Sequence, residues 1–208
     1  MSKLVETLKR FNRKERNWLI RDALGTGAEA LSGDFRKRLA DTIRARDPDF
    51  QLQADAWWVT DYHLDWLVAA LTMMTEGEDA ARKPHPDPNA VVRGNQQDID
   101  LLIASGTNLI LIEAKGVGAW ANRGTDSKLT RLAALPAELF ARVTPYFVFF
   151  SPAGHTLPIG GWPSWGENDS KPFSMTLQPP TDIKTLLRVE RCDQKGKRSA
   201  TGKHWLVR

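Results

Sequence analysis

Hydrophobic residues in the first 75 positions of the chain recur at the spacing of an α-helix. Leu4, Leu8 and Phe11 lie three or four residues apart, which places them on one helical face. Ser32 precedes a second such series and is a residue type that caps helix N-termini. The pattern predicts four helices, over 4–11, 12–25, 32–47 and 55–75, the last with Trp58, Tyr62, Trp66 and Ala69 on one stripe.

The pattern changes after a proline-rich stretch at 77–90, which predicts a loop. The runs 101–103 and 109–112 are almost entirely apolar, as is typical of strands covered on both faces. We expect strands at 90–93, 98–104 and 108–115, then a helix from about 126 that Pro136 kinks or restarts, and a buried strand over 145–150. The predicted class is α/β.

The last third of the chain is rich in proline, glycine and basic residues. Residues 151–172 predict a long loop, and 186–189 and 204–207 predict two strands joined by a basic turn at 195–203. We therefore divide the chain into an N-terminal helical region (1–50), a core (51–152) and a loop with a C-terminal β-hairpin extension packed on that core (153–208).

Charged residues stand at the outer ends of the two central apolar runs. Asp98 and Asp100 open the first run, and Glu113 and Lys115 close the second. A turn centred on Gly106 and Thr107 would place Asp100 across from Glu113, whereas a turn one residue later would place it across from Lys115. In either register the four side chains share one end of the hairpin, within about 8 Å of a cross-strand neighbour. Carboxylates this close favour a hard cation such as Mg²⁺ or Mn²⁺ between them.

This arrangement resembles the PD-(D/E)XK nuclease superfamily, in which an aspartate opens one strand and Glu-x-Lys ends the next. Asp100 matches the aspartate and Glu113-Ala114-Lys115 matches Glu-x-Lys, while Ile99 stands where the proline of the motif would be. The resemblance implies a restriction-endonuclease-like core of helix, three-strand antiparallel meander, helix and strand. It also implies a nuclease in which Asp100, Glu113 and the Ala114 carbonyl bind metal and Lys115 orients or activates water.

The superfamily usually adds an acidic residue from the preceding helix. Asp65 is the candidate we favour over Asp61, Glu76 and Glu78. Arg123, Lys128 and Arg131 follow the Glu-x-Lys segment, and we expect them to contact phosphates of the substrate. Trp120 is expected either to stack on a base or to pack in the core.

Charge is distributed unevenly along the 208 residues. The net charge is +4 over 1–50, −6 over 51–120 and +6 over 121–208, so basic segments flank the acidic one in sequence, as suits a metal enzyme acting on a polyanion. A single cysteine, Cys192, excludes an internal disulfide framework, and no apolar run is long enough to span a membrane. We expect a cytoplasmic protein.

The expected function is a metal-dependent nuclease with DNA as its substrate, although RNA stays open. A catalytically silent nucleic-acid-binding or interaction module of a restriction or defence assembly is the alternative. A homodimer or a partner subunit is also left open.

Overall fold

The computed structural model describes residues 2–11, 30–94, 97–115, 120, 123–152, 163, 165, 172–177 and 189–207. The chain divides into two compact units, Met1–Leu177 and Gln178–Arg208. The first unit contains the helices α1 (Lys3–Phe11), α2 (Gly33–Arg44), α3 (Leu64–Glu76), α4 (Glu78–Ala81) and α5 (Arg123–Ala133), a 3₁₀ helix (Ala137–Phe140), and the strands β1 (Trp57–His63), β2 (Asp98–Ser105), β3 (Asn108–Ala114), β4 (Thr144–Ser151) and β5 (Phe173–Thr176). The second contains β6 (Val189–Cys192) and β7 (His204–Val207).

Helices α1 and α2 confirm two of the helices predicted from the spacing of apolar residues. The Ser32 hydroxyl accepts a hydrogen bond from the amide of Phe35 (3.2 Å), which satisfies one of the donors left free at the start of α2. The helix ends at Arg44, ahead of Pro48. The helix predicted over 12–25 lies outside the described residues.

The helix predicted over 55–75 is wrong in its first half, because residues 57–63 form strand β1 and only Leu64–Glu76 is helical. Trp58, Tyr62 and Trp66 are spaced as on a helix, but the segment is dense in aromatic and β-branched residues, which favour a strand. Asp61, within β1, has a φ of 53°, and the helix α3 begins directly after His63.

The strand predicted at 90–93 is also wrong. The Asp87 carboxylate accepts hydrogen bonds from the amides of Val91 and Val92 (2.8 and 2.9 Å), and Ala90 has a φ of 48°. These side-chain contacts replace the hydrogen bonds that a strand would give to a neighbour. Within the predicted 77–90 loop, Glu78–Ala81 forms the short helix α4.

The five strands of the first unit form one mixed sheet in the order β1-β2-β3-β4-β5. Strands β1, β2 and β3 are antiparallel neighbours, β4 lies parallel to β3, and β5 lies parallel to β4. The predicted three-strand meander is therefore wrong in its first strand. That strand is β1 rather than the segment 90–93, and the long connection from β1 to β2 includes α3. The helix restart at Pro136 and the strand at 145–150 are confirmed by the 3₁₀ helix and β4. Strand β5 was not predicted.

Hydrophobic side chains cover both faces of the central strands, as the continuous apolar runs predicted. One cluster packs α1, α3 and α5 against the sheet through residues such as Leu111 and Phe149. The other packs α2 against the opposite face through residues such as Ile110 and Ile112. None of the helices in the described part of the chain is long and apolar enough to cross a membrane.

The second unit contains an antiparallel hairpin in which Val189 pairs with Val207 and Cys192 with His204. The predicted strand at 204–207 is confirmed. Its partner begins at Val189 rather than ending there, and residues 186–188 of the predicted strand lie outside the described residues. Gly202 is required here because a Cβ at this position would lie 2.1 Å from the carbonyl oxygen of Cys192.

Candidate metal centre

The β2–β3 register places Asp100 and Glu113 opposite each other. Leu101 pairs with Ile112 and Ser105 with Asn108, which leaves Gly106 and Thr107 as the turn. The first of the two predicted registers is therefore confirmed, and the register that would pair Asp100 with Lys115 is excluded. Gly106 adopts a φ of 62°, a conformation that glycine adopts without the steric cost of a side chain.

Asp100 also fixes the end of the hairpin. Its Oδ2 accepts a hydrogen bond from the amide N–H of Ala114 (2.8 Å). A side-chain acceptor therefore replaces a main-chain one where the regular pairing of β2 and β3 ends. This contact holds the Asp100 carboxyl group against the last residue of β3. The carbonyl group of Ala114, the third expected ligand, lies at the same end of the strand.

Glu113 is the buried member of the pair, with 6% of its surface exposed. Its Oε2 accepts a hydrogen bond from the Lys128 ammonium of α5 (2.6 Å), and the same ammonium lies 3.9 Å from Oδ1 of Asp100. The other oxygen, Oε1, is buried and has no hydrogen-bond partner among the described residues. A buried oxygen without a donor is costly, and it is a suitable ligand atom for a cation.

The surroundings of Glu113 disfavour its charged form. Burial raises its pKa, and although the positive charge of Lys128 lowers it, the negative charge of Asp100 raises it again, to about 7. An additional cation near both carboxylates would reverse this balance. The donor set therefore fits a hard cation, with Asp100, Glu113 and the Ala114 carbonyl supplying oxygen ligands.

Lys115 follows the last residue of β3 and is held beside β4, since its amide donates a hydrogen bond to the carbonyl oxygen of Phe150 (2.9 Å). Alternation along an extended chain directs its side chain to the same face as that of Glu113. Within the part of the chain that the structure describes, its ammonium has no ion pair or hydrogen bond. It is therefore not engaged in holding the fold there.

A histidine and an aspartate lie at the neighbouring position of the sheet. His63 pairs in register with Asp98, and their Nε2 and Oδ1 atoms lie 3.6 Å apart. The ring of Trp66 lies 4.9 Å from the His63 ring, measured between centroids. Asp61 falls in register with Asp100, at the point where pairing between Thr60–Leu101 and Tyr62–Ile99 is interrupted.

Asp65 lies in a second charged cluster, with Arg131. Its oxygens accept hydrogen bonds from the amides of Arg93 (3.1 Å) and Gly94 (2.8 Å) and from the guanidinium of Arg131. Burial opposes ionisation, but these donors and the Arg131 charge hold the pKa of Asp65 below its usual value. The Asp65 carboxylate is therefore engaged in hydrogen bonds and an ion pair within the fold.

Arg131 is almost completely buried, with 1% of its surface exposed. Besides Asp65, its guanidinium donates to the carbonyl oxygen of Val91 (2.7 Å) and to the side chain of Gln97 (3.3 Å). The phosphate contact expected of Arg131 does not suit this position, because the side chain connects α5 to α3 and to the 91–94 segment. The side chain of Arg123 lies outside the described residues.

Two placements could not be read from the sequence. Trp120 is buried and packs on Phe149 at 4.6 Å between ring centroids, so of its two expected roles the packing role is the one observed. Lys128 contacts the two carboxylates, and its contact with phosphate stays a prediction. The sequence predicted that Lys128 and Leu132 lie on one face of a helix. Only the structure shows that Lys128 lies beside strand β3.

The described residues contain no group of three or more histidine, cysteine, aspartate or glutamate side chains arranged to hold a metal ion. The candidate centre therefore consists of two carboxylates and a carbonyl. Comparison with protein-family models, with curated proteins and with solved structures finds no significant match.

Proposed function

We propose that this chain is a metal-dependent nuclease that hydrolyses phosphodiester bonds, with DNA as its substrate. The observation that carries the proposal is the β2–β3 register, whose last pair, Leu101 with Ile112, puts Asp100 and Glu113 at the next opposed position of the hairpin. The buried Oε1 of Glu113, which lacks a donor among the described residues, supports it further. The restriction-endonuclease-like core and the PD-(D/E)XK assignment belong to the same proposal.

In this proposal, Asp100, Glu113 and the carbonyl of Ala114 hold Mg²⁺ or Mn²⁺. The bound ion would polarise a phosphoryl oxygen and lower the pKa of a water molecule. Asp100 would keep its geometry through the hydrogen bond from the Ala114 amide. Lys115, on the same face two residues beyond Glu113, would orient the attacking water and stabilise negative charge that develops on the phosphate.

The decisive experiment incubates the purified chain with single-stranded, duplex and branched DNA and with RNA, in Mg²⁺, in Mn²⁺ and in chelator. We expect cleavage only with metal, and we expect Lys115→Ala to slow it by about 10²–10³, the loss that follows removal of one such donor. Lys83→Ala is the matched control, since Lys83 is an exposed lysine outside the candidate centre. Cleavage that persists in chelator, or that Lys115→Ala leaves unchanged, would contradict the proposal.

One observation favours the alternative, a catalytically silent nucleic-acid-binding module. The Lys128 ammonium already lies between the two carboxylates, at 2.6 Å from Glu113 and 3.9 Å from Asp100, and it compensates part of their charge without a metal. Tight binding of nucleic acid in chelator, together with no cleavage of any substrate in either metal, would establish the silent module instead.

A further inference from the structure

One face of the C-terminal hairpin exposes hydrophobic side chains. The register pairs Val189 with Val207 and Arg191 with Trp205, so these four residues share a face, which we call the Trp205 face. Trp205 is 69% exposed, Val189 71% and Val207 52%. Isolated exposed hydrophobic residues are common, whereas three together on four neighbouring positions of a hairpin form an exposed apolar surface.

The turn beside this face is basic, and its main chain is hydrogen-bonded. Oδ1 of Asp193 accepts hydrogen bonds from the amides of Lys195 (2.8 Å) and Lys197 (3.0 Å). The amide of Ser199 donates to the carbonyl oxygen of Arg191 (3.0 Å). These hydrogen bonds hold the turn, so its lysines extend from a defined backbone.

Most of the positive charge on this hairpin is not neutralised within it. Residues 189–207 contain five lysine and arginine residues and two acidic ones. Glu190 pairs with Arg198 (3.5 Å), and the Asp193 side chain is taken up by backbone amides. Among the described residues, Arg191, Lys195 and Lys203 form no ion pair.

We propose that the Trp205 face and the adjoining turn bind single-stranded nucleic acid. Trp205 offers an indole ring on which an unpaired base can stack, and Arg191, directly across the hairpin, lies within reach of the neighbouring phosphate. Lys195 and Lys203 extend the contact along the backbone. A duplex keeps its bases stacked on one another, so it offers this face only its phosphates. An uncharged protein partner would use the valines and the indole but not the cations.

This inference goes beyond the proposed function, because it needs neither Asp100 nor Glu113. It assigns a second site, in the second unit of the chain, and adds a preference for unpaired strands. Binding is therefore measured in chelator, where a metal-dependent enzyme does not cleave, so that each proposal can fail without the other.

The experiment measures fluorescence anisotropy of a labelled 20-nucleotide oligothymidine and of a 20-base-pair duplex with the full chain in EDTA. We expect Trp205→Ala to weaken binding of the single strand by at least about fivefold, the lower end for loss of one stacked base, and to leave duplex binding nearly unchanged. Trp205→Leu keeps a hydrophobic side chain without an aromatic ring, and we expect it to behave like Trp205→Ala. Trp205 is exposed, so both variants should fold, as circular dichroism would verify.

The contribution of the lysine side chains is tested by the salt dependence of single-strand affinity. Lys195→Ala with Lys203→Ala should reduce the slope of log affinity against log salt by about 1.4, since each phosphate contact to a single strand contributes about 0.7. Lys3→Ala with Lys83→Ala removes the same charge from exposed positions in the first unit and should leave the slope nearly unchanged.

Several outcomes would overturn the inference. Unchanged single-strand affinity in both Trp205 variants would do so, as would equal binding of duplex and single strand with equal sensitivity to Trp205. A change of oligomeric state in Trp205→Ala by size-exclusion chromatography, without a change in binding, would instead assign the face to a second copy of the chain. Single-strand binding without cleavage in any metal would uphold this inference and reject the nuclease.

Discussion

At the scale of single residues, the surroundings of the Glu113 side chain disfavour its negative charge. It is buried at the end of a central strand, it faces Asp100, and only one of its oxygens is hydrogen-bonded among the described residues. The pKa of Glu113 is raised to about 7, and burial is the largest cause of the shift. The folded chain therefore binds a proton here that the unfolded chain releases near pH 4.5.

The first prediction concerns this proton. The folded-state pKa is raised, so the stabilisation is complete below about pH 4.5 and is lost as the pH rises through about 7. The shift corresponds to about 3 kcal/mol. In chelator, we expect wild-type stability to fall relative to Glu113→Gln between pH 5 and pH 8, as measured by urea unfolding of both chains. Parallel pH profiles for the two would show that Glu113 does not titrate in this range.

The second prediction concerns Lys128. Its ammonium holds one Glu113 oxygen and adds positive charge where we place the cation. Lys128→Met should therefore tighten Mg²⁺ binding by tenfold or more, about 1.4 kcal/mol. Calorimetric titration at pH 8.5, above the wild-type pKa of Glu113, measures the change. Lys128→Arg retains the charge and is the matched control; tightening in both variants, or in neither, would argue against competition between the lysine and the metal.

At the scale of elements, α5 is attached to the rest of the first unit by charged contacts as well as by its apolar face. Leu129 and Leu132 are buried in the core cluster, and Arg131 between them contacts Asp65 of α3 and the Val91 carbonyl. This arrangement joins α5 to α3 on the same face of the sheet. The same helix carries Lys128, so the position of Lys128 beside Glu113 depends on it.

The third prediction tests this attachment. Arg131→Met leaves the Asp65 carboxylate without its cation and should cost about 3–5 kcal/mol of unfolding free energy, as is typical when one partner of a buried ion pair is removed. Arg142→Met is the matched control because Arg142 is exposed, and it should change stability by about 0.5 kcal/mol or less. Denaturant unfolding of both variants measures the difference. Equal stability would mean that Arg131 does not hold α5 in place.

At the scale of the whole molecule, metal binding and folding should be linked. Asp100 and Glu113 come together only when β2 and β3 pair, so the unfolded chain offers no such site. A ligand that binds only the folded chain at 100 times its Kd adds about 2.7 kcal/mol of stability. Protonation of Glu113 competes with this binding.

The fourth prediction follows from this linkage. Saturating Mg²⁺ should raise the thermal midpoint of the chain at pH 8 by about 5–10 °C, since 1 kcal/mol corresponds to about 2–4 °C at this size. The rise should be smaller at pH 6, where Glu113 is mostly protonated. Differential scanning calorimetry with Mg²⁺ and with chelator measures both. Asp100→Asn should abolish the rise, and an equal rise in that variant would place the metal elsewhere.

Local sequence determined those features that depend on neighbours in the chain. Ser32 caps α2, Pro136 separates α5 from the 3₁₀ helix, and Gly106 allows the tight turn that sets the β2–β3 register. Strand alternation then limits the partner of Asp100 to Glu113 or Lys115, one for each of the two possible turns. Continuous apolar runs also predicted that both faces of these strands are covered.

Tertiary contacts decided the rest. The spacing of the aromatic residues in 57–63 suits a helix as well as a strand, and pairing with β2 makes it a strand. Strand β5 is only four residues long and forms beside β4. Lys128 and Arg131 lie three residues apart on one helix, yet one reaches Glu113 and the other Asp65, because the strand and helix that meet α5 come from distant parts of the sequence. Such long-range packing leaves no local pattern. The sequence alone placed the two carboxylates at one end of the hairpin and limited the pairing to two registers, whereas the structure decided which register forms and which cations accompany the carboxylates.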